Sequence, residues 1–200
     1  MWFSAAALAT LLSYTWILEP RVPRWCAALV GGIVLSLAAA HAYRTGEWGF
    51  ARKALWPGLR ATALATLPGV IVLLAIGAAR GTLHDRNATP IVMGSLLLWG
   101  GAQQWVLQTM VLREAQHVTS RRVGVLVAAS LFSAVHLPNL FLAGMTLVGA
   151  LVWCAIYDRH PNVLPLALSH ALTTLAILYA FDGATTGGLR IGAAYLRLAR

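Results

Sequence analysis

Histidine is the side chain whose ordinary pKa lies nearest neutrality, and two of the six histidines fall in strongly apolar surroundings. His136 stands four residues after Phe132, and His170 is followed one helical turn later by Thr174. Three glutamines, Gln103, Gln104 and Gln108, interrupt a third apolar run. A carboxamide left alone in hydrocarbon costs several kcal/mol, so these groups must face other helices or a water-filled cavity. Gln104 and Gln108 are four apart and share one face of an α-helix, with Gln103 beside it. Convergence of the three polar faces would make one polar pocket in an apolar bundle. The imidazoles can act as general acids and bases, and a hydroxyl can donate to a developing oxyanion. The carboxamides offer hydrogen bonds but do not titrate. Two histidines with only amides nearby make a poor metal site, so no metal and no other cofactor is expected.

The elements that must carry these residues follow from composition. Of 200 residues, 59% are hydrophobic and only 10% charged, against about 25% charged in soluble domains. An ordinary soluble protein is excluded, and no alternating ten-residue segments mark a β-barrel. The expected fold is all-α: a single polytopic transmembrane helix bundle over residues 1–200. A span needs about 20 apolar residues. Residues 2–18, 25–43, 61–79, 90–112, 123–137, 140–157 and 163–181 give about seven spans. Pro68-Gly69 marks a kink in the third, and Leu137-Pro138-Asn139 a turn after the fifth. Residues 44–60 mix charges with Trp48 and Trp56 and suit an interfacial segment. Residues 80–89 and 113–122 read as polar loops. Residues 182–200 read as a short amphipathic helix on the membrane surface.

Net charge is +9, nearly all from scattered arginines. That distribution fits basic flanks on membrane helices and excludes nucleic acid as a partner. With seven crossings, one side collects eight basic residues and the other seven, or four without the tail. The positive-inside rule then places residues 113–122 in the cytoplasm. Cys26 and Cys154 lie in apolar runs and read as small buried hydrophobes.

Each polar residue also has an ordinary explanation. His136 can sit at headgroup level, and His170 can bond a neighbouring helix. Glutamines hold membrane helices together at about 0.6 to 2 kcal/mol per contact. Thr174 can bond back to a carbonyl of its own helix. His41, His84, His117 and His160 lie in loops or at span ends and carry no assigned role.

Order and spacing add a resemblance. Residues 95–181 resemble the core of the CAAX protease and bacteriocin-processing (CPBP) family of glutamate-dependent intramembrane proteases, a four-helix site region. That family carries Glu-Glu-x-x-x-Arg, then Phe-x-x-x-His, then His-x-x-x-Asn. Here Gln103-Gln104-x-x-x-Gln108 stands at the first motif. Phe132-x-x-x-His136 matches the second in full, followed by Leu137-Pro138-Asn139, and His170-x-x-x-Thr174 matches the third at its histidine. The resemblance implies catalytic positions at Gln103, Gln104, His136, His170 and Thr174, and substrate-binding positions at Gln108, Phe132 and Asn139. In such a family the first Glu and the second-motif His activate water, while the last His and Asn stabilise the oxyanion. Neither Gln103 nor Gln104 can do the work of a carboxylate, and Gln108 brings no charge. Losing all three charged groups together keeps a neutral hydrogen-bonding site, since an Arg without its carboxylates would be an uncompensated buried charge.

Three readings follow. One is a protease-like protein that holds a membrane-embedded peptide, a lipidated peptide or a lipid without cutting it. Another is a different membrane enzyme using histidine acid–base chemistry on a lipid or isoprenoid. The third is a residual peptidase with His136 as base. All three make it a multi-pass protein in contact with the lipid bilayer, expected in the plasma (inner) membrane.

Overall fold

The computed structural model describes residues 1–84 and 89–198. Asp85 to Ala88, within the expected 80–89 loop, and the tail end at Ala199 and Arg200 lie outside the described residues. The chain is an all-α, polytopic membrane protein. In order it forms α1 (Trp2–Ser13), a π turn (Tyr14–Leu18), α2 (Cys26–Thr45), α3 (Arg52–Ala79) and α4 (Pro90–Val106). A π-helical segment (Leu107–Leu112) joins α4 to α5 (Arg113–Val118). Then come α6 (Arg121–Ala134), α7 (Leu140–Arg159), α8 (Val163–Ala180), α9 (Gly183–Thr186) and α10 (Gly192–Leu196). Apart from one isolated bridge between Phe50 and Asn162, no β-pairing occurs among the described residues.

Four of these helices, α2, α3, α7 and α8, are long and apolar enough to cross a membrane. The sequence predicts seven. The other three apolar runs are shorter or interrupted as helices. Trp2–Leu18 ends in a π turn, the run after Pro90 changes from α to π at Leu107, and α6 has 14 residues. At 1.5 Å per residue α6 rises about 21 Å, short of a hydrocarbon core about 30 Å thick.

Two stretches expected to lie between spans turn out to be largely helix. α2 ends at Gly46, whose left-handed φ of 74° suits a residue without Cβ. α3 starts at Arg52 and runs through Pro57 and Pro68 as one 28-residue element. Of the predicted interfacial stretch, residues 46–51 lie outside the helices. The predicted 113–122 loop is mostly α5, which leaves a two-residue turn at Thr119 and Ser120. Charged residues suggested a loop there. Glu114 and Arg113 instead find partners, and a helix satisfies its backbone without water. The tail is not one amphipathic helix. It breaks at Gly187, Gly188 and Gly192, all with positive φ.

The described residues fall into two compact units. One comprises Gly49–Gln104 and Ala155–Gly188. Its frame is α3 against α8, running parallel. At one end Val163 N donates to Gly49 O (2.8 Å) and Ala51 N to Pro161 O (3.2 Å). Asn162 caps α8 by accepting from Leu164 N (3.0 Å), and its Nδ2 donates to Ala51 O (3.1 Å). Midway, the hydroxyls of Thr66 and Ser169 are 2.6 Å apart. At the other end Thr82 Oγ1 donates to Ala180 O (2.7 Å). Gly77 faces the Ala180 backbone so closely that a Cβ there would lie 2.5 Å from the Ala180 oxygen. Small residues let membrane helices approach until backbone and hydroxyl groups pair. The outer face of α3, with Leu64, Leu67 and Ile71, is exposed, as lipid contact requires. In α8, by contrast, 56% of the spanning window is buried, against 22% in α3. α8 is therefore the enclosed helix, and it carries His170.

The other unit comprises Met1–Trp48, Trp105–Cys154 and the residues from Leu189 onward. Its π segment is wholly buried and packs on α1, α2 and α6. α1 lacks a local N-cap side chain. The Glu114 carboxylate takes that role from 110 residues away, accepting from Ser4 N (2.9 Å) and Phe3 N (3.3 Å). Two otherwise unsatisfied helix-end donors are thereby paired. Arg113 bridges to Glu47 at 2.6 Å. The tail is fastened by Gly192 N to Leu137 O (2.9 Å) and by an Arg197–Glu19 ion pair at 2.5 Å.

Candidate functional site

In the unit built on α3 and α8, α4 meets α8 through glycines. Gly100 is in such close contact with His170 that an added Cβ would lie 3.2 Å from the ring carbon Cγ. Gly101 lies beside Ala167. One turn after Gly100, Gln104 is fully buried and its Nε2 lies 3.2 Å from His170 Nδ1. Three and four residues after Gly100 are the positions that share its helix face. The glycine therefore sets how closely the histidine approaches the carboxamide.

Polarity follows from the donor inventory. A carboxamide NH2 can only donate, so Nδ1 accepts and the proton of a neutral imidazole sits on Nε2. His170 is 9% exposed. Beside this pair, the Gln103 Oε1 atom is buried and has no hydrogen-bond partner among the described residues. Thr174, a turn beyond His170, does not make the back-bond to its own helix that Thr10, Thr15, Thr45, Thr109, Thr119 and Thr146 all make. The backbone explanation expected for its hydroxyl is thus not used.

The second unit holds the remaining residues. His136 follows the end of α6, with its backbone N bonded to Ser133 O at 2.9 Å. Its ring is buried, at 8% exposure. Nδ1 lies 2.7 Å from Phe132 O, and the two rings meet edge to face at 5.0 Å. A carbonyl can only accept, so here the proton is on Nδ1 and Nε2 carries the lone pair. The two histidines are thus held in opposite tautomers: His136 has a basic nitrogen at Nε2, and His170 a donor at Nε2.

Gln108 is fully buried in the π segment. Asn139 has two structural partners. Its Oδ1 accepts from Leu142 N (3.0 Å) to cap α7, and its Nδ2 donates to Arg190 O (3.1 Å). Both ends of the carboxamide serve the fold. Phe132 packs on His136 and orients it.

The sequence alone assigns no role to Gly100, Glu114 or His41. Glu114 is one of six acidic residues and stood in an expected loop. His41 is buried with its ring edge against Phe3 at 5.6 Å. No group of three or more His, Cys, Asp or Glu residues fit to hold a metal occurs among the described residues.

No curated protein and no solved structure matches this chain. Residues 85–176, which carry Gln103, Gln104, Gln108, Phe132, His136, Asn139, His170 and Thr174, match the family model described as type II CAAX prenyl endopeptidase Rce1-like. Over that segment, just under half of its length, this integral membrane protein is similar to the Rce1-like, CAAX protease-like group.

Proposed function

We propose that this protein holds a membrane-embedded or lipid-modified substrate at its polar residues without glutamate-based peptide hydrolysis. The Gln104–His170 contact carries this reading. A hydrolytic site needs a base for water and an acid for the leaving amine. A buried carboxylate can serve both proton roles because its pKa can be moved towards neutrality. A carboxamide has no proton to exchange in that range. At this contact it does something else: it fixes a neutral imidazole in one tautomer. Gln103, Gln104, His170 and Thr174 then act as hydrogen-bonding groups towards a ligand, with Gln108 and Phe132 supporting the family's remaining positions.

The test uses full-length protein in lipid nanodiscs and a farnesylated peptide ending in cysteine and three apolar residues. Saturable binding with no cleaved product is expected. A cleaved product formed by wild type and lost in His136→Ala would overturn the reading.

One observation favours a second reading. Nε2 of His136 is a lone-pair nitrogen in a buried ring, which is what a general base requires. On that reading the protein is a membrane enzyme acting on a hydrophobic lipid or isoprenoid substrate, or a residual peptidase using His136. A small molecule chemically altered in membranes containing wild type, and unaltered with His136→Ala, would favour it.

A further inference from the structure

We infer that residues 189–198 form a strap that positions the His136 ring, latched at its far end by the Arg197–Glu19 ion pair. The strap lies outside the segment that matches the family model. It acts on either reading of the site, because it sets the place of the ring and not its chemistry.

The loop after α6 is poor in backbone donors. Pro138 has no N–H to offer a tertiary partner. The Asn139 side chain supplies a donor instead, with Nδ2 giving to Arg190 O at 3.1 Å. Gly192 N gives in the other direction, to Leu137 O at 2.9 Å. Two bonds of opposite sense, one on each side of Pro138, fix the loop in orientation as well as position. A single bond would leave it free to pivot. The loop passes this constraint to His136. Asn139 N donates to His136 O at 3.2 Å, and Leu137 is the next residue in the chain. The ring is thereby held where its Nδ1 meets Phe132 O.

The backbone of the strap is shaped for these contacts. Leu189 has a φ of 55° and is the one residue other than glycine in the left-handed region among the described residues. A β-carbon makes that conformation costly, so it persists only where the surroundings impose it. Gly192 shares that φ, and an added Cβ there would run into Thr15 O. Gly192 therefore touches the π turn after α1 while its N–H reaches Leu137. Further on, Arg197 pairs with Glu19 at 2.5 Å, with the arginine side chain 45% exposed. An ion pair so exposed is weak and is screened by salt, as a latch that opens requires. The strap thus links residues 15–19 to residues 136–139.

The test needs no substrate, so its failure leaves the proposed function standing, and failure of that function leaves the strap standing. Full-length protein with isotope-labelled histidine is placed in nanodiscs for nitrogen NMR. The His136 imidazole signals are identified by their loss in His136→Gln, and those of His170 serve as the internal control. Amide hydrogen exchange of residues 189–196 and 136–142 is followed in parallel. Gly192→Ala should raise exchange in both segments about tenfold, the value of one hydrogen bond. It should also shift the His136 signals and leave those of His170 in place. Arg197→Glu sets a like charge against Glu19 and should act in the same direction, by about fivefold. Faster exchange in residues 189–196 beside unmoved His136 signals, in either variant, would overturn the inference. Unchanged exchange in Arg197→Glu would overturn it too, and that exposed substitution decides the matter if Gly192→Ala does not fold. Equal shifts at His136 and His170 would mark a general loosening of the fold and would likewise overturn it.

Discussion

Gln104 Nε2 lies 3.2 Å from His170 Nδ1, so a carboxamide donor holds a buried imidazole in the tautomer with its proton on Nε2. Removing the carboxamide takes away a buried hydrogen bond, worth about 1 kcal/mol. Gln104→Leu should lower the detergent-solubilised melting temperature. Gln104→Asn, a residue one methylene shorter, should not restore it. Thermal unfolding of the three proteins measures this.

Gly77 lies against the Ala180 backbone, where an added Cβ would come within 2.5 Å of the Ala180 oxygen and must push α3 from α8. Gly77→Ala should destabilise by about 1–3 kcal/mol. Gly69→Ala, with nothing within 4 Å, is the control and should leave the unfolding midpoint unchanged.

Glu114 gives the fold a pH dependence of definite sign. Burial by itself would raise its carboxyl pKa, but hydrogen bonds from Ser4 and Phe3 outweigh burial and hold it below the ordinary value. A depressed folded-state pKa contributes stability that is present above the unfolded pKa and lost as pH falls through the folded one. Wild type should therefore lose stability on acidification below the ordinary glutamate range. Glu114→Gln should start lower and show a flatter profile over that range. Unfolding midpoints between neutral and acid pH decide it, and parallel profiles would refute the assignment.

Asn139 caps α7 and ties it to Arg190. Asn139→Ala should cost about 1–2 kcal/mol through loss of the cap. Its effect on peptide binding should be no greater than that loss of folded protein explains, which folding-corrected titration would reveal.

Returning carboxylates tests whether the scaffold can still cut. The combination Gln103→Glu, Gln104→Glu and Gln108→Arg supplies a titratable base and its compensating charge. Cleavage of the farnesylated peptide should appear, and adding His136→Ala should abolish it. A stable triple variant that binds peptide but yields no product would show that more than these charges separates this protein from the proteases it resembles.

By itself the sequence determined the class of the protein and the cast of its site. A chain that is 59% hydrophobic and 10% charged has to satisfy its backbone in helices, so an all-α membrane protein followed from composition. The polar residues at membrane depth were legible because hydrocarbon makes each of them costly, and their spacing carried the family resemblance. What composition could not give was the length and pitch of individual helices. Charges at Arg113 and Glu114 looked like loop markers, but with both of them paired the helix runs through them. Only tertiary structure decided that Asn139 works for α7, that Gly100 admits His170 to Gln104, and that the two histidines hold opposite tautomers. Tautomer and satisfaction depend on which atom faces which partner across helices. That information exists only after the chain has packed.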